Sequence, residues 1–192
     1  MNKHVQMLVF VLFLGFFTSI LLVGMGALTE ERIAQNEAAL LQSAILDGFD
    51  EEYTFGNIND VFNDTVTVYE YEGYTFYRDD ASGRVSFRFE GGGVWGPIIG
   101  IITLESDLET IAEITILAQE ETPGLGGVVA ERDYLDTFVG KTMEIDIVKG
   151  AVTLNANQVD SITGATRTSD AFEGILNTDY EDHITVWLAN QE

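Results

Sequence analysis

Hydrophobic positions follow three rhythms along the chain. The first is an unbroken run, Val5 to Leu28, which holds 24 residues without a charge. As a helix rising 1.5 Å per residue it spans about 36 Å, enough for a hydrocarbon core of about 30 Å. The second is helical. From Thr29 to Leu46, Ile33, Leu40, Leu41, Ala44 and Ile45 are set against Glu30, Glu31, Glu37 and Gln42, and Asp47-Gly48 ends the pattern. The third is the alternation of strands, in Thr65–Tyr71, in Tyr74–Arg78 across Glu72-Gly73, and in Arg84–Glu90 after the turn Asp79–Gly83. Beyond a Gly91-Gly92-Gly93 break, Ile98–Leu104 is apolar throughout, as suits a buried strand, and Ile111–Leu117 alternates again. Asp47–Asp64 is acidic and turn-rich and reads as a loop. Val129–Val139 reads as a short helix, Met143–Val148 as a strand, and Thr168–Asn177 as a helix after a turn. These elements predict an α+β chain: a single N-terminal transmembrane helix, then one antiparallel sheet with helices packed on it. The expected division is a tail and anchor over 1–28, a helical stalk and acidic loop over 29–64, and a sheet domain over 65–192.

The apolar run has a rival reading as a cleaved signal peptide, for which Gly24-Met25-Gly26 would offer a small-x-small site. Signal cores run to roughly 7–15 residues, and this run is longer, which favours a retained anchor. Lys3 on the short side, with Glu30 and Glu31 on the other, favours a cytoplasmic N-terminus and a domain on the extracytoplasmic side of the cell membrane. No acid or base lies within the run, so ion passage along this helix is not expected.

Charge and composition then remove whole classes of function. The net charge is −23, and after residue 29 eight basic residues face all 32 acids. Such a surface repels phosphodiester backbones, so nucleic acid is excluded as a partner. The low lysine content fits a domain bathed in high salt and equally an ordinary acidic exported protein. The absence of cysteine rules out disulfides, iron–sulfur clusters, thiolate zinc, covalent haem and a lipid-modified cysteine. His4 and His183 are too few for a histidine metal site, so no metal ligands are assigned. Redox chemistry, if present, needs an organic cofactor.

Three segments stand apart from ordinary loops. Asp160-Ser161-Ile162-Thr163-Gly164-Ala165-Thr166-Arg167-Thr168-Ser169 is a glycine turn leading into a helix whose first residues, Thr, Ser and Asp, are good caps. The unpaired N–H groups of that helix start favour an anion, and Arg167 is the one nearby cation in the sequence. Glu120-Glu121-Thr122-Pro123-Gly124-Leu125-Gly126-Gly127 follows a buried-looking strand, and its glycines let backbone approach a flat ligand. Gly91-Gly92-Gly93-Val94-Trp95-Gly96-Pro97 places a tryptophan where it either lies against an aromatic ligand or covers the sheet. Taken singly, the three also read as a capped turn, a surface loop and a core tryptophan.

Together, in this order behind one N-terminal anchor, they resemble the covalent-FMN subunit of the ion-pumping Rnf and Nqr electron-transport complexes. Residues 160–166 fit that family's flavinylation signature, D-x-x-[ST]-G-A-T, at every specified position, and Thr168-Ser169 fits the trailing part. Residues 121–126, ETPGLG, match its second motif, and Trp95-Gly96-Pro97 matches the third. The resemblance runs from the anchor to about residue 176. The short length is closer to the G subunit of Rnf than to the longer C subunit of Nqr. Gln119 departs from the pattern, since relatives often carry His there, and so does the extreme acidity.

The resemblance implies FMN joined through its phosphate to the Thr166 hydroxyl, by a separate flavin transferase that uses FAD and a divalent metal and reads Asp160 to Thr166. Thr163, Gly164, Ala165, Arg167, Thr168 and Ser169 complete the attachment segment. The flavin ring is assigned to Thr122, Gly124, Leu125 and Gly126 on one side and Trp95-Gly96 nearby, and Glu121 either orients its loop through backbone hydrogen bonds or is merely solvated. The chain would then be an electron-transfer subunit of an Rnf-type complex, taking electrons from a membrane-embedded redox partner and having no complete reaction alone. No G-x-G-x-x-G follows a strand, so it would not bind the nicotinamide itself. Two alternatives stay open: a membrane-anchored flavoprotein serving another electron route, and a cofactor-free acidic scaffold.

Overall fold

The computed structural model describes residues 2–150 and 154–191. The chain divides into two compact units, Met1–Ala39 and Leu40–Glu192. Helix α1 (Lys3–Gly48) begins in the first and ends in the second. Its apolar stretch has a mean hydropathy of 2.6 over its best window, with none of that window buried, and is a candidate membrane span. Its two threonine hydroxyls are satisfied within the helix. Thr18 and Thr29 each donate to the carbonyl four residues back, at 2.9 Å, so neither of these hydroxyls needs a partner from an apolar medium.

The second unit is built on a five-stranded antiparallel sheet, β1 (Val66–Tyr71), β2 (Tyr74–Asp79), β3 (Val85–Gly92), β4 (Pro97–Leu104) and β5 (Ile111–Ala118), with strands adjacent in sequence order. The turn between β1 and β2 is the two residues Glu72 and Gly73, both at positive φ, the geometry that matches strand twist. Period-2 geometry sends Ile98, Ile102 and Leu104 to one face and Ile101 to the other. The first face packs under helix α4 (Thr166–Ala189), with Phe76, Phe87, Phe89, Phe172, Leu176 and Trp187 in one core. The second face is covered by the end of α1, through Ala44, Ile45 and Leu46, and by α2 (Ile58–Thr65), through Ile58 and Phe62. Both faces of β4 are therefore dry, which is why its sequence does not alternate.

The structure departs from the sequence expectation in five places. The acidic stretch before β1 is not all loop: α2 forms there, with only Ile58 and Phe62, one turn apart, buried. The triple glycine does not break β3, because Gly91 and Gly92 stay in register with Ile98 and Pro97. The helix expected over 129–139 is three short pieces, 3₁₀ turns at Gly126–Ala130 and Asp136–Phe138 around the single turn α3 (Arg132–Leu135). The strand expected from Met143 is shorter, β6 (Asp146–Val148), and pairs in parallel with an unforeseen β7 (Gln158–Asp160). Helix α4 runs well past Asn177 because Asn177 is a clamp and not a stop. Its side-chain amide accepts the Ile145 N–H and donates to the Ile145 carbonyl, both at 2.8 Å, and the buried stripe resumes at His183 and Trp187.

Candidate functional site

The three motif segments converge on one cleft of about 350 Å³. Trp95 comes from the turn between β3 and β4, closed by Gly93 N–H donating to the Gly96 carbonyl at 2.9 Å. Glu121, Thr122, Leu125 and Gly126 come from the loop after β5. Gly164, Ala165, Thr166, Arg167 and Thr168 come from the start of α4. Gly164 adopts φ +83°, the left-handed conformation that lets the chain turn into the helix. Asp160, Thr163, Gly124, Gly96 and Ser169 are next to the cleft in sequence but do not line it.

The helix start differs from the capped turn read from the sequence. The N-cap position is Ala165, and no side chain caps the helix. The hydroxyls expected there are committed elsewhere. Ser169, fully buried, accepts the Ile162 N–H at 3.0 Å and donates to the Ala165 carbonyl at 3.3 Å, and Thr168, 3% exposed, donates to Glu121 at 2.8 Å. The N–H groups of the first turn thus open on the cleft without a side-chain acceptor, at the positive end of a 24-residue helix dipole. Thr166 is the first residue of that helix, and it is exposed and lines the cleft.

Arg167 is not the sole cation at the site, as the sequence had suggested. Lys149 lines the same cleft, and among the described residues neither cation forms an ion pair. Lys149 was missed because it lies 17 residues before Thr166 with no motif around it. No sequence signal marks it: it reaches the cleft from the loop after β6, whose parallel partner ends at Asp160 and whose residue Gly150 donates its N–H to the Asp160 carboxylate at 3.1 Å. Val94 also lines the cleft and was likewise not picked out.

Trp95 is 71% exposed and Leu125 46% exposed, so neither is a core residue. Two large apolar side chains left in solvent beside a cleft floored by glycine make a flat, apolar berth. Burial pushes the Tyr134 phenol above its usual pKa, against the pull of the nearby Ser169 hydroxyl and with Asp160 adding to the shift; no hydrogen bond of standard geometry reaches its hydroxyl among the described residues.

Comparison with known proteins gives the family of the domain and the kinship of its fold. Residues 93–181 match the FMN-binding domain family, a span that contains Trp95-Gly96-Pro97, residues 121–126 and residues 160–166. Among curated proteins, the chain is 31% identical over 143 residues to the C subunit of the Na(+)-translocating NADH-quinone reductase of Pseudomonas aeruginosa, covering 66% of this chain and 55% of that protein. It is 32% identical over 108 residues to the same protein of Vibrio vulnificus, covering 52% and 42%. The chain thus spans about half the length of the curated relatives it matches. Its fold is similar to NqrC of Shewanella oneidensis, with a TM-score of 0.68 at 20% identity, covering 77% of this chain and 93% of that one. It is also similar to the C subunit of the Na(+)-translocating NADH-quinone reductase of Parabacteroides distasonis, with a TM-score of 0.71 at 22% identity, covering 85% and 98%.

Proposed function

Because residues 93–181 belong to the FMN-binding domain family and the chain is similar to C subunits of the Na(+)-translocating NADH-quinone reductase, we propose that this cleft holds FMN esterified through its phosphate to Thr166. On this reading the chain is an electron-transfer subunit of an ion-translocating, membrane-bound oxidoreductase, of the Rnf type. The observation that carries it is the position of Thr166: an exposed hydroxyl at the uncapped start of α4, in a cleft that Lys149 and Arg167 also line, neither of them in an ion pair among the described residues, in a protein of net charge −23.

The chemistry of the residues supports that assignment. A phosphate on the Thr166 oxygen would lie where the first-turn N–H groups, Lys149 and Arg167 favour negative charge. Trp95 and Leu125 supply apolar area for a flat ring, and Thr122 and the loop backbone supply polar edges. FMN, when bound, supplies one- and two-electron redox chemistry that no side chain in this cysteine-free sequence provides. Attachment would exchange a phosphoanhydride bond of FAD for a phosphoester. The Thr166 oxygen forms a bond to the FMN phosphorus of FAD, the pyrophosphate bond breaks, AMP leaves with the bonding electrons, and the hydroxyl proton is released. A flavin transferase with a divalent metal is the agent proposed. The covalent bond also makes retention independent of the repulsion between an acidic domain and a phosphate.

The proposed placement is a single-pass anchor with the N-terminus in the cytoplasm and the domain outside, supported by Lys3 before the apolar run and Glu30 and Glu31 after it. Its partners are the other membrane subunits of an Rnf- or Nqr-type complex. The test is intact mass of the full chain after coexpression with a flavin transferase. The expected result is a gain of one FMN less one water, retained in Thr166→Ser and absent from Thr166→Ala. An unmodified wild-type chain, with the transferase active on a known acceptor, would overturn the assignment.

A further inference from the structure

Glu121 is 5% exposed and, among the described residues, has no cationic partner. A buried carboxylate without a cation has to be satisfied by hydrogen bonds, and here they come from two different segments. Oε1 accepts the backbone N–H of Val94 at 2.6 Å and of Trp95 at 3.1 Å. Oε2 accepts the Thr168 hydroxyl at 2.8 Å. Glu121's own N–H donates to Gln119 Oε1 at 2.5 Å, which fixes the strand end that carries it. One carboxylate thus joins the tryptophan turn, the glycine loop and the start of α4.

Space has been cleared for it from both sides. A Cβ at Gly93 would lie 2.5 Å from Oε1, and one at Gly126 would meet Oε2. Those glycines are 33 residues apart and in different loops, yet both lack a side chain where the carboxylate sits. The two consecutive N–H donors also set the direction of the Trp95 turn, since rotating it would strand a buried acceptor.

We infer that Glu121 is a positioning residue that presets both walls of the cleft before any ligand arrives, holding Trp95 on one side and the α4 start on the other. This rests on the reading that the cleft seats FMN, and it adds that the seat is built in the flavin-free chain. A residue serving only global stability would change exchange at every amide in the sheet alike. A positioning residue changes it locally.

The experiment is amide hydrogen exchange on the flavin-free full chain in detergent, for wild type, Glu121→Ala, Glu121→Gln and Thr168→Val. Flavin fluorescence per attached flavin and reduction potential are then measured on the flavinylated proteins. In Glu121→Ala the Val94 and Trp95 amides should exchange at least about ten-fold faster while β3 and β4 amides keep their wild-type rates. Glu121→Gln should hold them within about three-fold, because its carbonyl still accepts both N–H groups and its NH₂ can donate to the Thr168 oxygen. Thr168→Val should leave residues 94 and 95 protected and loosen the first turn of α4. On the flavinylated chain, Glu121→Ala should raise fluorescence per flavin and move the potential toward that of free FMN, with Glu121→Gln near wild type. Wild-type exchange at Val94 and Trp95 in Glu121→Ala, or unchanged flavin properties, overturns the proposal, as does uniform loss of protection across the sheet. If Glu121→Ala fails to fold, the Gln and Val variants still decide it, since protection of 94–95 must survive both. A wild-type chain that takes up no flavin overturns the FMN reading instead, while the exchange pattern still reports on the clamp.

Discussion

The imidazole of His183 lies nearly flat on the ring of Phe87, with centroids 4.3 Å apart and planes inclined by 16°. Tyr74 and Phe76 meet the same imidazole edge-on, and Nδ1 donates to the Asp179 carbonyl at 2.6 Å. Burial holds this imidazole below its usual pKa, against the opposing pull of the carbonyl and of Asp182. Between the folded and unfolded pKa values the unfolded chain binds more protons, so stability is complete above about pH 6.5 and declines as the pH falls. We expect wild type to lose stability below that pH at up to about 1.4 kcal/mol per unit, and His183→Phe to lack that component. Urea midpoints at several pH values from 7.5 to 5.5 check it; parallel profiles for the two proteins would refute it.

Two glycine-to-alanine changes should have opposite signs. At Gly126 the new methyl would collide with Glu121 and lie 2.7 Å from the Thr168 hydroxyl, at a cost of about 1–3 kcal/mol. At Gly174, inside α4, nothing lies within 4 Å, and alanine should gain about 0.5–1 kcal/mol. Thermal or urea unfolding of the pair reads this directly.

The two cations of the cleft should act through phosphate. In a Thr166→Ala background, where flavin binds only without a bond, Lys149→Gln and Arg167→Gln should each weaken FMN binding about two- to five-fold at low salt. Most of that difference should vanish in about 1 M salt, and neither change should alter riboflavin binding, which lacks the phosphate. Fluorescence titrations with the two flavins separate the cases.

The Tyr134 hydroxyl is buried without a partner among the described residues, while its ring packs edge-on against Phe138 at 5.3 Å. Removing an unsatisfied polar atom and keeping the ring should not destabilise the chain. Tyr134→Phe is expected to be neutral or to gain up to about 1 kcal/mol. A loss larger than that in urea unfolding would show that the hydroxyl is engaged after all.

Where each structural feature depends on neighbours in sequence, the sequence showed it. The strands β1 to β5 alternate or are uniformly apolar according to whether one or both faces are dry, and each turn carries its own glycine or acid. The glycine turn leading into α4 could be picked out for the same reason, being ten consecutive residues. What could not be read are features decided by distant partners. Asn177 looked like a helix end because nothing local shows that its amide grips Ile145. The N-cap was misplaced because Thr168 and Ser169, good caps by type, are claimed by Glu121 and Ile162. Trp95 was ambiguous for want of its surroundings, and α2 was hidden because two buried residues in eight leave little pattern.

The strand order, each neighbour following the last, has a bearing on time as well as shape. Such a meander closes only short loops and forms quickly. Helix α4 must instead return to β3 across about 80 residues, and it is the docking of Phe172 and Trp187 that seals the aromatic core. The cleft draws one wall from the meander and the other from α4, so it is among the last things folding produces. A chain ending before Trp187 would keep every strand of the sheet and lose the seal that holds its second wall, so a formed cleft is a signature of completed folding.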